Sequence, residues 1–282
     1  MPTIELILVP YDVDRDDTAT ARGPRDLLAL GFEERLTAAG FRLRKSLVWS
    51  RAERGREAIV VSLARETSRL VARACSRGRF PLVLSGGCLV ATGVVSGLQR
   101  SGRPIRILWV DAHGDFNTPE TTPSGYWDGM SLAAVCGRSL DEVYKKAELR
   151  AVQNSHIAHL GARALDPPEH EDFERLKIMQ VPPSQVADDD VITQLRRRIG
   201  RSPELYLHVD MDGIDPRDAP AVTLPEPHGI PLADLIECLG RLPSPRAMTL
   251  AGMNFERVDD ERSQRMLESS LELASAVLSR LK

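Results

Sequence analysis

Close-spaced cysteines, long apolar runs and an excess of either charge are all missing from this sequence. The four cysteines, Cys75, Cys88, Cys136 and Cys238, are spaced neither as a zinc knuckle nor as a disulfide framework. No apolar run approaches the roughly 20 residues that cross a bilayer, so no membrane partner is expected. The 37 Lys and Arg against 40 Asp and Glu leave a net charge of −3, which gives no electrostatic footprint for nucleic acid. The first residues, Met1-Pro2-Thr3-Ile4-Glu5, hold no basic region followed by an apolar core, so a signal peptide is not expected. Internal repeats, low-complexity tracts and long linkers are lacking as well. The expectation is one soluble cytoplasmic domain over residues 1–282, whose 42% hydrophobic content is enough for a substantial core.

What is present is an alternation of short apolar runs with amphipathic stretches. Strands are predicted at 4–10, 42–48, 81–85, 105–110, 157–161, 178–181, 205–210 and 248–252. Several are continuously apolar, as in Ile107-Leu108-Trp109-Val110, which fits strands covered on both faces. Ile59, Leu63, Leu70, Val71 and Ala74 recur at helical spacing, as do Leu267, Leu271, Ala274, Leu278 and Leu281. Pro24 reads as the start of a helix over 25–39. Strands and helices in alternation predict an α/β fold, a parallel sheet with helices on both faces. The proline-containing stretches 119–123 and 216–227 directly follow predicted strands, where active-site loops of such sheets lie.

Two of those strand ends carry acid. Asp111, His113 and Asp115 follow one strand, and Asp210 and Asp212 end another. In extended chain, alternate residues point to one face, so each cluster is expected to present its side chains together. Solvated loop aspartates or helix caps are the bland alternative. Carboxylates gathered in a partly dry site repel strongly, and divalent cations remove that conflict. Carboxylate with imidazole suits Mn²⁺, Zn²⁺ or Fe²⁺.

The segment from Asp111-Ala112-His113-Gly114-Asp115-Phe116-Asn117 to Ser124-Gly125 resembles the metal and substrate loop of the arginase/agmatinase (ureohydrolase) family. His208-Val209-Asp210-Met211-Asp212-Gly213-Ile214-Asp215-Pro216 is similar to its second metal motif, with Ala219-Pro220 and Leu224-Pro225-Glu226-Pro227-His228-Gly229 continuing it. Gly161-Ala162-Arg163-Ala164-Leu165-Asp166-Pro167-Pro168-Glu169 resembles the central motif, and Gly23-Pro24 with Leu27-Leu28 the N-terminal one. The resemblance implies a three-layer α/β/α fold with an eight-stranded parallel sheet. It implies two Mn²⁺ ions that activate water against a guanidinium carbon, releasing urea from a small cationic guanidino substrate, free or peptidyl arginine. It also implies a homo-oligomer, a trimer or hexamer. By match, Asp111, His113, Asp115, Asp210 and Asp212 are metal ligands, with Asp111 and Asp210 bridging. Asn117, Ser124 and Tyr126 fall where the substrate carboxylate is bound, and Asp166 where the amino group is met, with Glu169 nearby.

The sequence departs from the family pattern at three places. A further histidine ligand, in a Gly-Gly-Asp-His segment, is replaced: Cys88 stands at the His position and Gly87 at the Asp position. Cys88 is read either as a thiolate ligand, which admits a softer divalent metal at that site or a weak or vacant one, or as a small buried residue on a strand-to-helix turn. Asp128 stands where the family has a catalytic-loop histidine. Its candidate roles are proton transfer, pairing with a cationic substrate, or capping a helix over 129–136. The glutamate that holds the guanidinium and its threonine partner correspond to Gly252 and Leu224, with Glu256 a few residues on. The expected activity is therefore arginase-like C–N hydrolysis. The alternatives are hydrolysis of another amidino or amide C–N bond, or a non-catalytic metal-binding role.

Overall fold

The continuously apolar segments lie side by side in one sheet, in a computed structural model that describes residues 3–52, 54–200, 204–256 and 260–281. The strands are β1 (Thr3–Val9), β2 (Arg42–Leu47), β3 (Phe80–Ser85), β4 (Arg106–Val110), β5 (Ile157–Leu160), β6 (Met179–Val181), β7 (Leu205–Asp210) and β8 (Ala247–Ala251). They pair in the order β2-β1-β3-β8-β7-β4-β5-β6, every pair parallel. Each falls within a residue or two of its expected span. Strands β3, β7 and β8 are buried throughout, as a strand covered on both faces must be. Edge strand β2 instead carries Arg42, Arg44 and Lys45, charges that discourage pairing with another chain.

Helices α1 (Ala19–Ala29), α2 (Phe32–Ala38), α8 (Asp189–Ile199), α9 (Leu232–Arg241) and α10 (Glu261–Leu278) cover one sheet face through Leu27, Leu36, Leu195, Leu235 and Leu271. The other face is covered by α3 (Arg56–Ser76), α4 (Ala91–Gln99), α5 (Ser131–Val135) and α7 (Pro167–Leu176), with α6 (Asp141–Lys146) packed beside α3. This is the expected three-layer α/β/α fold. No helix among the described residues is long and apolar enough to cross a membrane.

The helix expected over 25–39 is two. Helix α1 begins earlier, at the Thr18 cap, whose hydroxyl accepts the Ala21 N–H, so Pro24 lies inside the helix rather than at its start. The chain then turns at Leu30–Gly31 and restarts as α2. Local proline preference yielded to the packing of Leu27 and Phe32, both fully buried against the sheet.

The chain places β3 and β4 apart and returns later to fill the space between them with β7 and β8. The loops after β3, β4, β5, β7 and β8 thus emerge beside one another at the C-terminal edge of five adjacent strands, where α/β sheets bind ligands. Arg163, after β5, ties these loops together. Its guanidinium donates to the carbonyl oxygens of Gly161 at 3.0 Å, Asp212 at 2.8 Å, Glu226 at 2.8 Å and Pro227 at 2.9 Å. A lysine cannot reproduce that fork. Arg163→Lys is expected to lower stability by about 1–3 kcal/mol, read from the urea midpoint. An unchanged midpoint would show that the loops hold their places without it.

Candidate metal centre

Strand β4 ends at Val110, and its carboxylates converge through turns rather than by strand alternation. Asp111 Oδ1 accepts the His113 N–H at 2.8 Å, which folds the chain back at once. His113 pairs in register with Ala164 of the β5 loop. Asp115 takes a left-handed backbone conformation, φ 51°, unusual for a residue with a side chain. Its carbonyl accepts the Leu132 and Ala133 N–H groups of α5, which hold it there.

The β7 end is built alike. Asp210 Oδ1 accepts the Asp212 N–H at 2.9 Å and opens a 3₁₀ turn, Met211–Gly213. Asp212 Oδ1 reaches across to the Ala112 N–H at 3.1 Å, and its Oδ2 lies 3.1 Å from His113 Nδ1. The two acidic turns are therefore stitched to each other, one strand apart.

Cys88 comes from the turn after β3. Its Sγ is buried, 3.0 Å from Asp210 Oδ2 and 3.9 Å from Asp111 Oδ2. The turn is held by Asp128, whose two carboxylate oxygens accept the N–H groups of Cys88 at 2.9 Å and Leu89 at 2.8 Å. Asp128 thus caps the start of the turn leading into α4, not its own helix, which runs as a 3₁₀ turn into α5. Gly87 makes room for it: a Cβ there would lie 2.5 Å from Asp128 Oδ2.

Among the described residues, two groups of side chains could each hold a cation: Cys88 with Asp111 and Asp210, and Asp111 with His113 and Asp212. Within each group the ligand atoms lie within 4.8 Å of one another, and Asp111 belongs to both. Among the described residues, none is a hydrogen-bond partner of the buried Asp115 Oδ2. Burial, first, and then repulsion from neighbouring acids push the carboxyls of Asp111, Asp115 and Asp212 above the usual range and Asp210 to about 7. Burial works against the His113 imidazolium, yet Asp111 and Asp212 raise it to about 12. Burial and the surrounding acids likewise keep the Cys88 thiol protonated. Protons thus compensate charge in a cluster whose donor set, shared carboxylate and orphaned oxygen fit a pair of divalent cations.

The cluster forms the floor of a cavity of about 230 Å³. Asn117, Ser124, Tyr126, Asp166 and Glu169 all line it. Asn117 donates to Asp166 Oδ2 at 2.8 Å and accepts from Thr121 Oγ1 at 2.9 Å. Glu169 is spoken for: its oxygens accept the N–H groups of Phe116 and Asp166, closing a capping box at the head of α7. Ser124 and Tyr126 are exposed at the mouth, the Tyr126 hydroxyl donating to Asp12. Leu224 also lies at the mouth, 56% exposed. Glu256 is exposed and does not line the cavity. At Gly252, φ 76°, a Cβ would stand 2.1 Å from Asp210 Oδ1, so a glutamate there is excluded by Asp210 itself.

Sequence reasoning missed the support beneath Asp111. Trp109 Nε1 donates to Asp111 Oδ2 at 3.1 Å. Its ring stacks on His208, centroids 3.8 Å apart, and His208 Nδ1 bonds the Tyr206 hydroxyl, which bonds Thr249. Burial pushes His208 down to about 3, so it stays neutral. Part of the signal was available: Tyr206 and His208 lie two apart on β7, and such residues share a face.

Two outcomes follow for metal binding. Trp109→Phe keeps the stacked ring but loses the donor to Asp111, and is expected to weaken divalent-metal affinity by roughly 10- to 100-fold, measured by titration with an indicator chelator. Unchanged affinity would show that Asp111 is oriented without it. Gly252→Ala forces Asp210 aside and is expected to lose at least one bound metal while destabilising the fold by about 1–3 kcal/mol. Full metal content by elemental analysis would refute that contact.

The sequence profile of the arginase family matches residues 3–278. A protein named arginase from Bacillus caldovelox is 30% identical over 245 residues, 80% of this chain and 81% of that one. Another, from Brucella melitensis, is 34% identical over 158 residues, 53% of this chain and 52% of the relative. The crystal structure of arginase from Bacillus cereus superposes with a TM-score of 0.88 at 27% identity, over 99% of this chain and 100% of that one. The agmatine ureohydrolase of Thermoplasma volcanium shares the fold alone, with a TM-score of 0.69 at 20% identity, over 98% of this chain and 89% of the other. On sequence and on fold, this chain belongs to the arginase family.

Proposed function

We propose that this protein is a binuclear-metal hydrolase of arginase type. It cleaves a guanidino C–N bond of L-arginine, or of an arginine-like compound, to urea and an amine. The observation that carries this reading is the pair of ligand groups sharing Asp111 on the floor of a cavity that, among the described residues, is lined by seven carboxylate side chains and no Lys or Arg. Such a lining suits a cationic substrate.

In this reading Cys88, Asp111, His113, Asp115, Asp210 and Asp212 hold two divalent cations, with Mn²⁺ the ion usual in the family. When bound, the pair lowers the pKa of water and stabilises negative charge at the reacting carbon. Asn117 and Asp166, fixed against each other, meet the head group of the substrate, with Ser124 and Tyr126 on the facing rim. Glu169 positions Asp166 and Phe116. Asp128 positions the Cys88 turn, since both of its oxygens are taken by backbone N–H groups. A homo-oligomer belongs to the same proposal and is checked by light scattering.

Gly252 favours a second reading. Asp210 occupies the room a guanidinium-gripping carboxylate would need there, and a substrate with a different amidino or amide group dispenses with that grip. One assay separates the two. Metal-loaded protein is incubated with L-arginine, agmatine, other guanidino acids, peptidyl arginine, and formimino and amide compounds. Urea release is expected; ammonia or carboxylate without urea supports the second reading. No product from any compound, with two metals bound per chain, overturns both. Metal removal is expected to abolish turnover. At a metal concentration 100 times the dissociation constant it should also remove about 2.7 kcal/mol of stability for each site emptied.

A further inference from the structure

The two cation positions differ in chemistry. The one at His113 offers an imidazole and carboxylates, all nitrogen and oxygen. The other offers a sulfur, Cys88 Sγ, with Asp111 and Asp210. Three observations show that this sulfur is aimed rather than merely present. Its own N–H and that of Leu89 are gripped by Asp128, which fixes the turn that carries it. It points at Asp210 and at Asp111, and Asp111 also belongs to the other position. Asp115, whose buried Oδ2 has no hydrogen-bond partner among the described residues, lines the same cavity as a further donor.

Other uses for this thiol fit poorly. It is 1% exposed, so a substrate carbon has little access to it as a nucleophile. It forms no disulfide, all four cysteines being free. Its hydrogen-bonding neighbours are carboxylates, which suit a shared cation.

We propose that Cys88 ligates as a thiolate and makes its position selective for a thiophilic divalent ion such as Zn²⁺, while the His113 position keeps the family's ordinary preference for Mn²⁺. The inference rests on the binuclear-centre reading above and sharpens it. Soft thiolate ligands select zinc-like ions, whereas carboxylate and imidazole tolerate harder ones. On binding, the thiol proton passes to solvent and the sulfur–metal bond forms with no change of oxidation state.

The test uses the full chain, stripped with a chelator and titrated with Cd²⁺ or Co²⁺. Sulfur-to-metal charge-transfer absorption is followed alongside elemental metal counts. One equivalent of charge-transfer absorption is expected in the wild-type protein. In Cys88→Ser it should vanish while the His113 position still fills. Affinity for Zn²⁺ at the sulfur position should fall at least about 100-fold, since even outer-shell partners are worth 10- to 100-fold. In Cys88→His, competition between Zn²⁺ and Mn²⁺ should move toward Mn²⁺. Circular dichroism checks that both variants fold, and the wild-type absorption is informative without them. Two equivalents of Co²⁺ bound with no charge-transfer absorption would overturn the inference and leave the binuclear reading standing. No metal bound under any condition would overturn both.

Discussion

Repulsion among buried acids is the constraint around which the rest of this molecule is arranged. Asp111, Asp115, Asp210 and Asp212 are each less than 10% exposed and share one small volume. At 4 Å and an effective dielectric of 20, two unit charges interact by about 4 kcal/mol. A single hydrogen bond to a charged group returns only about 1.5–3 kcal/mol, so no one contact offsets several such pairs. The protein answers with many. The N–H groups of Ala112, His113 and Asp212 point at these oxygens, as do the Trp109 indole N–H and the Cys88 thiol. What those contacts leave uncompensated falls to His113, to bound protons, or to divalent cations.

Holding like charges together also demands rigidity, and the sheet supplies it. The acids sit at the ends of adjacent buried strands, β4 and β7, and not on long loops. The turns that carry them are stitched to each other, to α5 through the Asp115 carbonyl, and to the β5 loop through Arg163. The left-handed backbone at Asp115 persists because its surroundings leave it no other arrangement.

The strands were legible because burial on both faces writes itself as unbroken apolar runs. The acids of the cluster, with His113, were legible because their types and order are specific. How they converge was not. Alternation along an extended strand predicted a common face, but the strand ends before Asp111 and tight turns bring the acids together. The helix predicted over 25–39 is two helices because tertiary packing of Leu27 and Phe32 outweighs the usual meaning of a proline. The role of Asp128 could not be read locally, since the N–H groups it accepts lie some 40 residues away in sequence. Arg163 stood inside a recognised motif, yet it bonds main-chain carbonyls, which every residue possesses and which no sequence pattern marks.

The contact between Gly87 and Asp128 makes two distant positions hereditary partners. A side chain at 87 and a carboxylate at 128 would claim the same space. The family pattern, with an acid at the first position and a histidine at the second, is here exchanged for its reverse in bulk and charge. Neither change is innocuous alone: Asp at 87 meets the resident carboxylate, and loss of Asp128 leaves two amide hydrogens of the Cys88 turn without their acceptor. A lineage moving between the two states must cross a background in which the turn is either crowded or unsupported. In this chain the two positions are sterically bound to each other, and Cys88 is mounted on the turn they share.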